Sequence, residues 1–339
     1  MSGWRGTART SVLVAAVLLA AAGGAVVLAV RTWPDPDRGS GLRDEFTYDL
    51  SSLRATDPSL VRYAETEGFD PGFSEPRAVA VGPGDAIIVG GDGEVRAFGL
   101  DGAPQWSAEA PGPPVCLAVD ENGTVYAGLA GRVAAYDPQA KTWRTWGSLG
   151  EGAVVTSVAV SAEGVYVADA GERLVIHYSR SGERLDAIGR KDPDKGVEGF
   201  VIPSGYFDVA PGAEGILWIV NPGRHRLEAY TADGCCGLTF GRYSTRVEGF
   251  CGCCNPTHIA VLPDGKVVTS EKGIPRVKVY DEEGEFEGVV AAPDAFAERT
   301  RGLDLATDSA GRVIVLDPVA KRVRVFVRKE TGCREGADE

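Results

Sequence analysis

The sequence predicts an all-β fold, a six-bladed β-propeller, preceded by one N-terminal transmembrane helix. Three observations predict it. One pattern of short apolar strands recurs six times; glycine (45) and proline (20) punctuate the 339 residues; and helix-favouring stretches are scarce beyond residue 60. Self-similarity at a period of about 40–50 residues marks radial or stacked repeats, each contributing one supersecondary unit.

Each repeat reads as an apolar strand, a turn with Gly or Asp, a second apolar strand, a polar loop and an alternating third strand. The first two strands are AVAVGPGDAIIV (78–89), CLAVDENGTVYAG (116–128), SVAVSAEGVYVAD (157–169), FDVAPGAEGILWIV (207–220), HIAVLPDGKVVTS (258–270) and DLATDSAGRVIVLD (304–317). Third strands follow as EVRAFGLDG, RVAAYDPQA, RLVIHYSRSG, RLEAYTADG, RVKVYDEEG and RVRVFVRKE. Anchored on Ala80, Ala118, Ala159, Val209, Ala260 and Ala306, the spacings are 38, 41, 50, 51 and 46 residues. Such spacings suit one four-stranded blade per repeat.

A fourth strand follows each of the first five repeats: PQWSAEA, TWRTWGS, RLDAIGR, GLTFGRY and EGVVAAP. The sixth is followed only by the polar tail 331–339. Its missing strand is expected upstream, at residues 60–66 (LVRYAET), which would close the ring and remove open sheet edges. The resulting domain plan is a signal anchor at 1–33, a linker at 34–59, the propeller at 60–330 and the tail.

The segments PTHIAVLPDG, VADAGERLVIHY, NPGRHRLEAY and LDPVAKRVRVF are similar to NHL repeats, and the resemblance covers about residues 60–330. It implies a propeller and leaves the activity open, because the family includes ligand-binding modules, protein-interaction modules, lyases and hydrolases. Amidating lyases of similar architecture need several channel histidines. This chain has three in all, with His177 and His225 in or just before third strands, away from the channel.

Arg5 and Arg9 precede an uncharged run at residues 11–30. About 20 apolar residues in a helix span the hydrocarbon core, longer than the usual apolar region of a cleaved signal peptide. The run therefore reads as an anchor, with Ala20-Ala21-Ala22 as the rival cleavage site. The leading arginines favour a cytoplasmic N-terminus, which puts the propeller in the periplasmic or extracellular space. Residues 34–59 read as a polar linker with a short amphipathic piece. A formal charge of −13 without a Lys/Arg cluster excludes nucleic-acid binding as a reading.

Five of the seven cysteines (Cys235, Cys236, Cys251, Cys253 and Cys254) lie within twenty residues. The Val-Glu-Gly-Phe at 247–250 repeats that at 197–200, so one loop design is used twice, with cysteines in the second copy only. The linker between a fourth strand and the next first strand opens on the same propeller face as the loop between strands two and three. Cys251, Cys253, Cys254 and His258 are thereby expected at the channel mouth. Cys235 and Cys236 follow a turn on the opposite face, and would reach the others only if the long loop folded back.

Three readings of the cluster stand side by side. Thiolates with an imidazole suit zinc, copper(I) or an iron–sulfur cluster, although CxCC is not a standard spacing. Disulfides would pin the loop in an oxidising compartment. A free redox thiol is the third, and Cys333 is the candidate for the odd cysteine.

Cys116, Asp208, Glu271, Asp304 and Asp317 are expected around the same mouth, with Asp169 and Asn221 beside them. They read either as calcium-binding or catalytic carboxylates, as the resemblance to lactonase-like propellers implies, or as turn caps. Lys272, Arg276 and Lys278 would receive an acidic partner or form a solvated strand face. Trp143, Trp146 and Trp218 are expected to pack between blades. The function expected is a binding or scaffold module in a membrane-associated complex with a protein partner, handling metal or electrons through the cysteine loop. A lyase or hydrolase and a disulfide-stabilised interaction domain are the alternatives.

Overall fold

The computed structural model describes residues 51–192, 198–298 and 300–330. The expected membrane span at 11–30, most of the linker, and the tail with Cys333 lie outside them. Among the described residues no helix is long and apolar enough to cross a membrane. The compact unit begins at Ser51, with a single helical turn at Ser51–Arg54.

Among the described residues twenty-four strands form six antiparallel four-stranded sheets. Blade one holds β2 (Pro76–Val81), β3 (Ile87–Gly91), β4 (Glu94–Phe98) and β5 (Pro104–Glu109). Blade two holds β6 (Cys116–Val119), β7 (Val125–Leu129), β8 (Arg132–Asp137) and β9 (Thr142–Thr145). Blade three holds β10 (Val155–Val160), β11 (Val165–Asp169), β12 (Leu174–Tyr178) and β13 (Arg184–Ile188). Blade four holds β14 (Val209–Pro211), β15 (Leu217–Asn221), β16 (Arg226–Tyr230) and β17 (Cys236–Phe240). Blade five holds β18 (His258–Val261), β19 (Val267–Glu271), β20 (Arg276–Tyr280) and β21 (Phe286–Ala291).

Blade six combines β22 (Asp304–Thr307), β23 (Val313–Asp317) and β24 (Arg322–Arg328) with β1 (Tyr63–Glu65) from the other end of the chain. β1 pairs antiparallel with β24, Tyr63 opposite Arg328 and Glu65 opposite Phe326. Just before it, the Arg62 amide donates to Val289 O of blade five at 2.9 Å. The N-terminal segment thus crosses from blade five to blade six before the first complete blade begins.

The register corrects one alignment. Ala210 pairs with Trp218 as Ala80 pairs with Ile88 and Ala260 with Val268, so Ala210, not Val209, is the equivalent small residue of blade four. Adjacent apolar residues in FDVAP left the one-residue choice open in the sequence.

Strand alternation sends apolar side chains to both faces of each twisted sheet, where the neighbouring blades cover them. The buried core is accordingly split into six clusters, one at each blade–blade interface. The seam between blades six and one is packed like the others, with Ile314, Leu316 and Val323 against Val79, Ile87, Val89 and Phe98. Trp146 bridges blades two and three, its ring 6.0 Å from Tyr126 and 5.3 Å from Tyr178. Trp143 packs at a tilt against Tyr136 at the interface of blades one and two, and Trp218 joins the core between blades four and five.

Candidate functional site at the channel mouth

Equivalent positions at the start of the six inner strands carry Ala78, Cys116, Ser157, Asp208, His258 and Asp304. Cys116, Ser157, Asp208, His258 and Asp304 line the central channel, a cavity of about 220 Å³. An inner strand has one edge unpaired, so its outward N–H groups need other acceptors. The two aspartates supply them. Asp304 accepts from Leu305 N at 2.9 Å and from Val79 N of the next blade at 2.8 Å. Asp208 accepts from Val209 N at 2.9 Å and from Ile259 N of the next blade at 2.7 Å. Each carboxylate stitches two blades together.

Burial dominates the electrostatics of this ring. It raises Asp208 to about 6, and together with the charge of Asp208 it raises Asp304 to about 7. Burial pushes the Cys116 thiol well above its ordinary value, with both aspartates adding to the effect. His258 is held down at about 4 by burial and is neutral at physiological pH. Cys116 also explains Gly128 opposite it: a Cβ there would lie 2.3 Å from its Sγ.

The cysteine loop, residues 241–257, runs from β17 to β18 and is fastened on two sides. Asn255 Nδ2 donates to Cys251 O (2.5 Å) and Lys272 O (3.0 Å), while its Oδ1 accepts from Lys272 N (2.9 Å). From blade four, His225 Nε2 lies 2.6 Å from Gly252 O. The Cys251 amide points to Glu271 Oε2 at 3.5 Å.

Within the loop Cys253 Sγ and Cys254 Sγ are 3.2 Å apart, Cys253 exposed and Cys254 2% exposed. Ser204, from the preceding inter-blade linker, donates to Cys254 Sγ at 3.2 Å. Lys272 Nζ donates to Ser204 Oγ at 3.2 Å and sits 4.5 Å from the centre of the Tyr206 ring. Tyr206 in turn meets the His258 ring edge-on at 5.7 Å. Burial opposes ionisation of Cys254, but hydrogen bonds from Lys272, Ser204 and Cys253 outweigh it and leave this thiol below its ordinary value. Cys253 is raised, chiefly by its hydrogen bond to Cys254.

The structure does not bring all the expected ligands together. Cys235 and Cys236 are exposed at the turn into β17, and the loop leaves the far end of that strand. A rise of 3.2–3.4 Å per residue puts about 13 Å between Cys236 and Phe240. Among the described residues every cysteine is a free thiol, and no three His, Cys, Asp or Glu side chains are grouped to hold a metal ion. Structural zinc and iron–sulfur clusters are bound through four protein ligands and catalytic zinc through three, so a two-thiol contact does not fit them.

The expected mouth carboxylates also divide. Glu271 and Asp317 stand at the ends of second strands, outside the residues lining the channel. Asp317 caps its turn through Val319 N and Ala320 N. Asp169 and Asn221, at equivalent positions, accept from the linker amides of Val154 and Val201.

Lys278 and Arg276 are not a solvated face: they are 0% and 4% exposed. Lys278 Nζ pairs with Glu271 Oε1 at 3.0 Å and donates to Val247 O (3.1 Å) and Gly249 O (2.7 Å). It also lies 4.2 Å from the centre of the Phe250 ring. Arg96 and Arg324 repeat this design at the same strand position. Arg96 donates to Pro71 O and Gly72 O over Phe73, and Arg324 to Ala295 O over Phe296. The available signal was the pairing of a basic third-strand centre with a phenylalanine in the linker before it.

No protein-family model matches the chain, and no curated protein matches it. Solved structures do. A protein of unknown function from Bacteroides thetaiotaomicron is 14% identical, with a TM-score of 0.59 over 78% of this chain and 72% of that one. Virginiamycin B lyase from Staphylococcus aureus, in a catalytically inactive form with quinupristin, is 11% identical, with a TM-score of 0.53 over 79% of this chain and 100% of that one. The WD40 β-propeller domain of Doa1 is 15% identical, with a TM-score of 0.50 over 76% and 80%. At such identities the similarity establishes the fold alone. The chain is a six-bladed β-propeller.

Proposed function

We propose that this propeller is a binding module, held outside the cytoplasm by a membrane span at residues 11–30, and that the rim around Cys253 and Cys254 is its recognition site. One observation carries this reading. Side chains from three separated segments, Ser204 and Tyr206, then Cys253, Cys254 and His258, then Lys272, converge on a single patch continuous with the channel. Propellers commonly place ligands and partners at such a mouth, and binding is an activity shared across otherwise unrelated members of the fold. A lyase or hydrolase reading has weaker support. The channel aspartates already accept four backbone N–H groups between them, which gives them an architectural task.

Site-specific photo-crosslinking of the full-length chain in its native membranes tests the reading. Tyr243 is 61% exposed and packs against His225 beside the loop, so it is the probe position. Gln139, in an exposed turn on the opposite face, is the control. A discrete adduct from position 243, weakened by Lys272→Glu and absent from position 139, is expected. Equal adducts from both faces, or none, overturn the reading.

A further inference from the structure

We infer that Cys253 and Cys254 form a binding site for a single soft monovalent metal ion, copper(I). The inference rests on the recognition site proposed above and names the ligand class that site takes.

Two sulfur atoms stand 3.2 Å apart with the neutral Ser204 hydroxyl beside Cys254, and none of the interactions of Cys253 or Cys254 involves a carboxylate. Thiolates select copper(I) over the hard cations that prefer oxygen. Two donors leave zinc and iron–sulfur clusters without the rest of their coordination, whereas copper(I) is satisfied by a pair of thiolates. The competing outcome is a disulfide between the two. Consecutive Cα atoms are about 3.8 Å apart, whereas disulfides usually span at least about 4.4 Å, and strained ones are readily reduced. That strain favours the dithiol, the form that binds the ion.

Charge and access complete the site. Binding follows Cu⁺ plus two thiols to a bis-thiolate complex, with two protons released to solvent. The complex carries one negative charge, and the Lys272 ammonium stands beside it, bridged through Ser204 to Cys254. The buried Cys254 fixes one bond while the exposed Cys253 leaves the other open to ligand exchange with a donor or acceptor. Asn255 and His225 hold the loop backbone from both sides, so ordering on binding is confined to side chains: opposed thiolates on one ion stand farther apart than 3.2 Å, and the exposed Cys253 side chain rotates outward to open that gap.

The test is an anaerobic titration of the full-length protein in detergent with copper(I) against a chromogenic copper(I) chelator, followed also by ultraviolet thiolate-to-copper absorption. The wild type should withdraw about one equivalent from the chelator. Cys253→Ser and Cys254→Ser should each weaken binding by about a hundredfold or more, and Lys272→Met by about tenfold. Cys235→Ser and Cys236→Ser should leave it unchanged. Because Cys254 is buried, unaltered circular dichroism is required of its variant, and the exposed Cys253 variant carries the conclusion if Cys254→Ser does not fold. No withdrawal by the wild type, retention by the Cys253 variant, or equal uptake of zinc by the same thiols overturns the inference. Copper binding without a crosslink at position 243 would sink the partner reading alone; a crosslink without copper binding would sink only this inference.

Discussion

Asp304 holds the seam between the last blade and the first through one carboxylate. Its value of about 7, against an ordinary 3.8, means that the folded state binds the proton more tightly than the unfolded chain. Its contribution to stability is thus full below the unfolded value and is lost as pH rises through about 7. His258, held at about 4 in the same ring, works in the opposite sense and removes stability as pH falls from 6.5. A comparison of variant with wild type separates the two. Asp304→Asn should gain roughly 1–3 kcal/mol relative to wild type between about pH 4.5 and 7.5, read from urea midpoints at both values. A constant difference would show that this carboxylate does not titrate in that window.

At the scale of elements, strands announce themselves through alternation and turn residues, and the repeat period made the sheets legible from the chain alone. Packing across elements was less legible. Lys278 looks like a surface residue because its neighbours in RVKVY alternate normally, yet the linker of the preceding blade folds over it. Ser204 and Tyr206 carry no motif and lie about fifty residues from Cys254 and His258, which they respectively meet, so only the fold reveals them. The density of cysteines was visible, and so was the turn that puts Cys235 and Cys236 on the opposite face; that the long loop does not fold back to them is seen only in the structure. Lys278→Met should cost about 3–5 kcal/mol, because it leaves the buried Glu271 with Arg276, at 3.9 Å, as its remaining charged partner. Limited proteolysis should then cleave within residues 245–255, where the wild type resists.

For the whole molecule, six separate interface cores mean that stability depends on every neighbour being present. Removing residues 60–66 exposes the outer edge of β24, uncovers the pocket filled by Tyr63 (3% exposed) and strips Arg324 of Glu65. Several kcal/mol should be lost, a fall of about 10 °C or more in the unfolding midpoint, with self-association through the open edge. Scanning calorimetry and light scattering check this, and an unchanged midpoint would refute closure by that segment.

The pairing of β1 with β24 also sets a timetable. The ribosome makes residues 63–65 before any blade exists and releases their partner, residues 322–328, after all the others. The earliest strand must therefore wait through synthesis of the entire ring, shielded only by what has already folded, before its own hydrogen bonds can form.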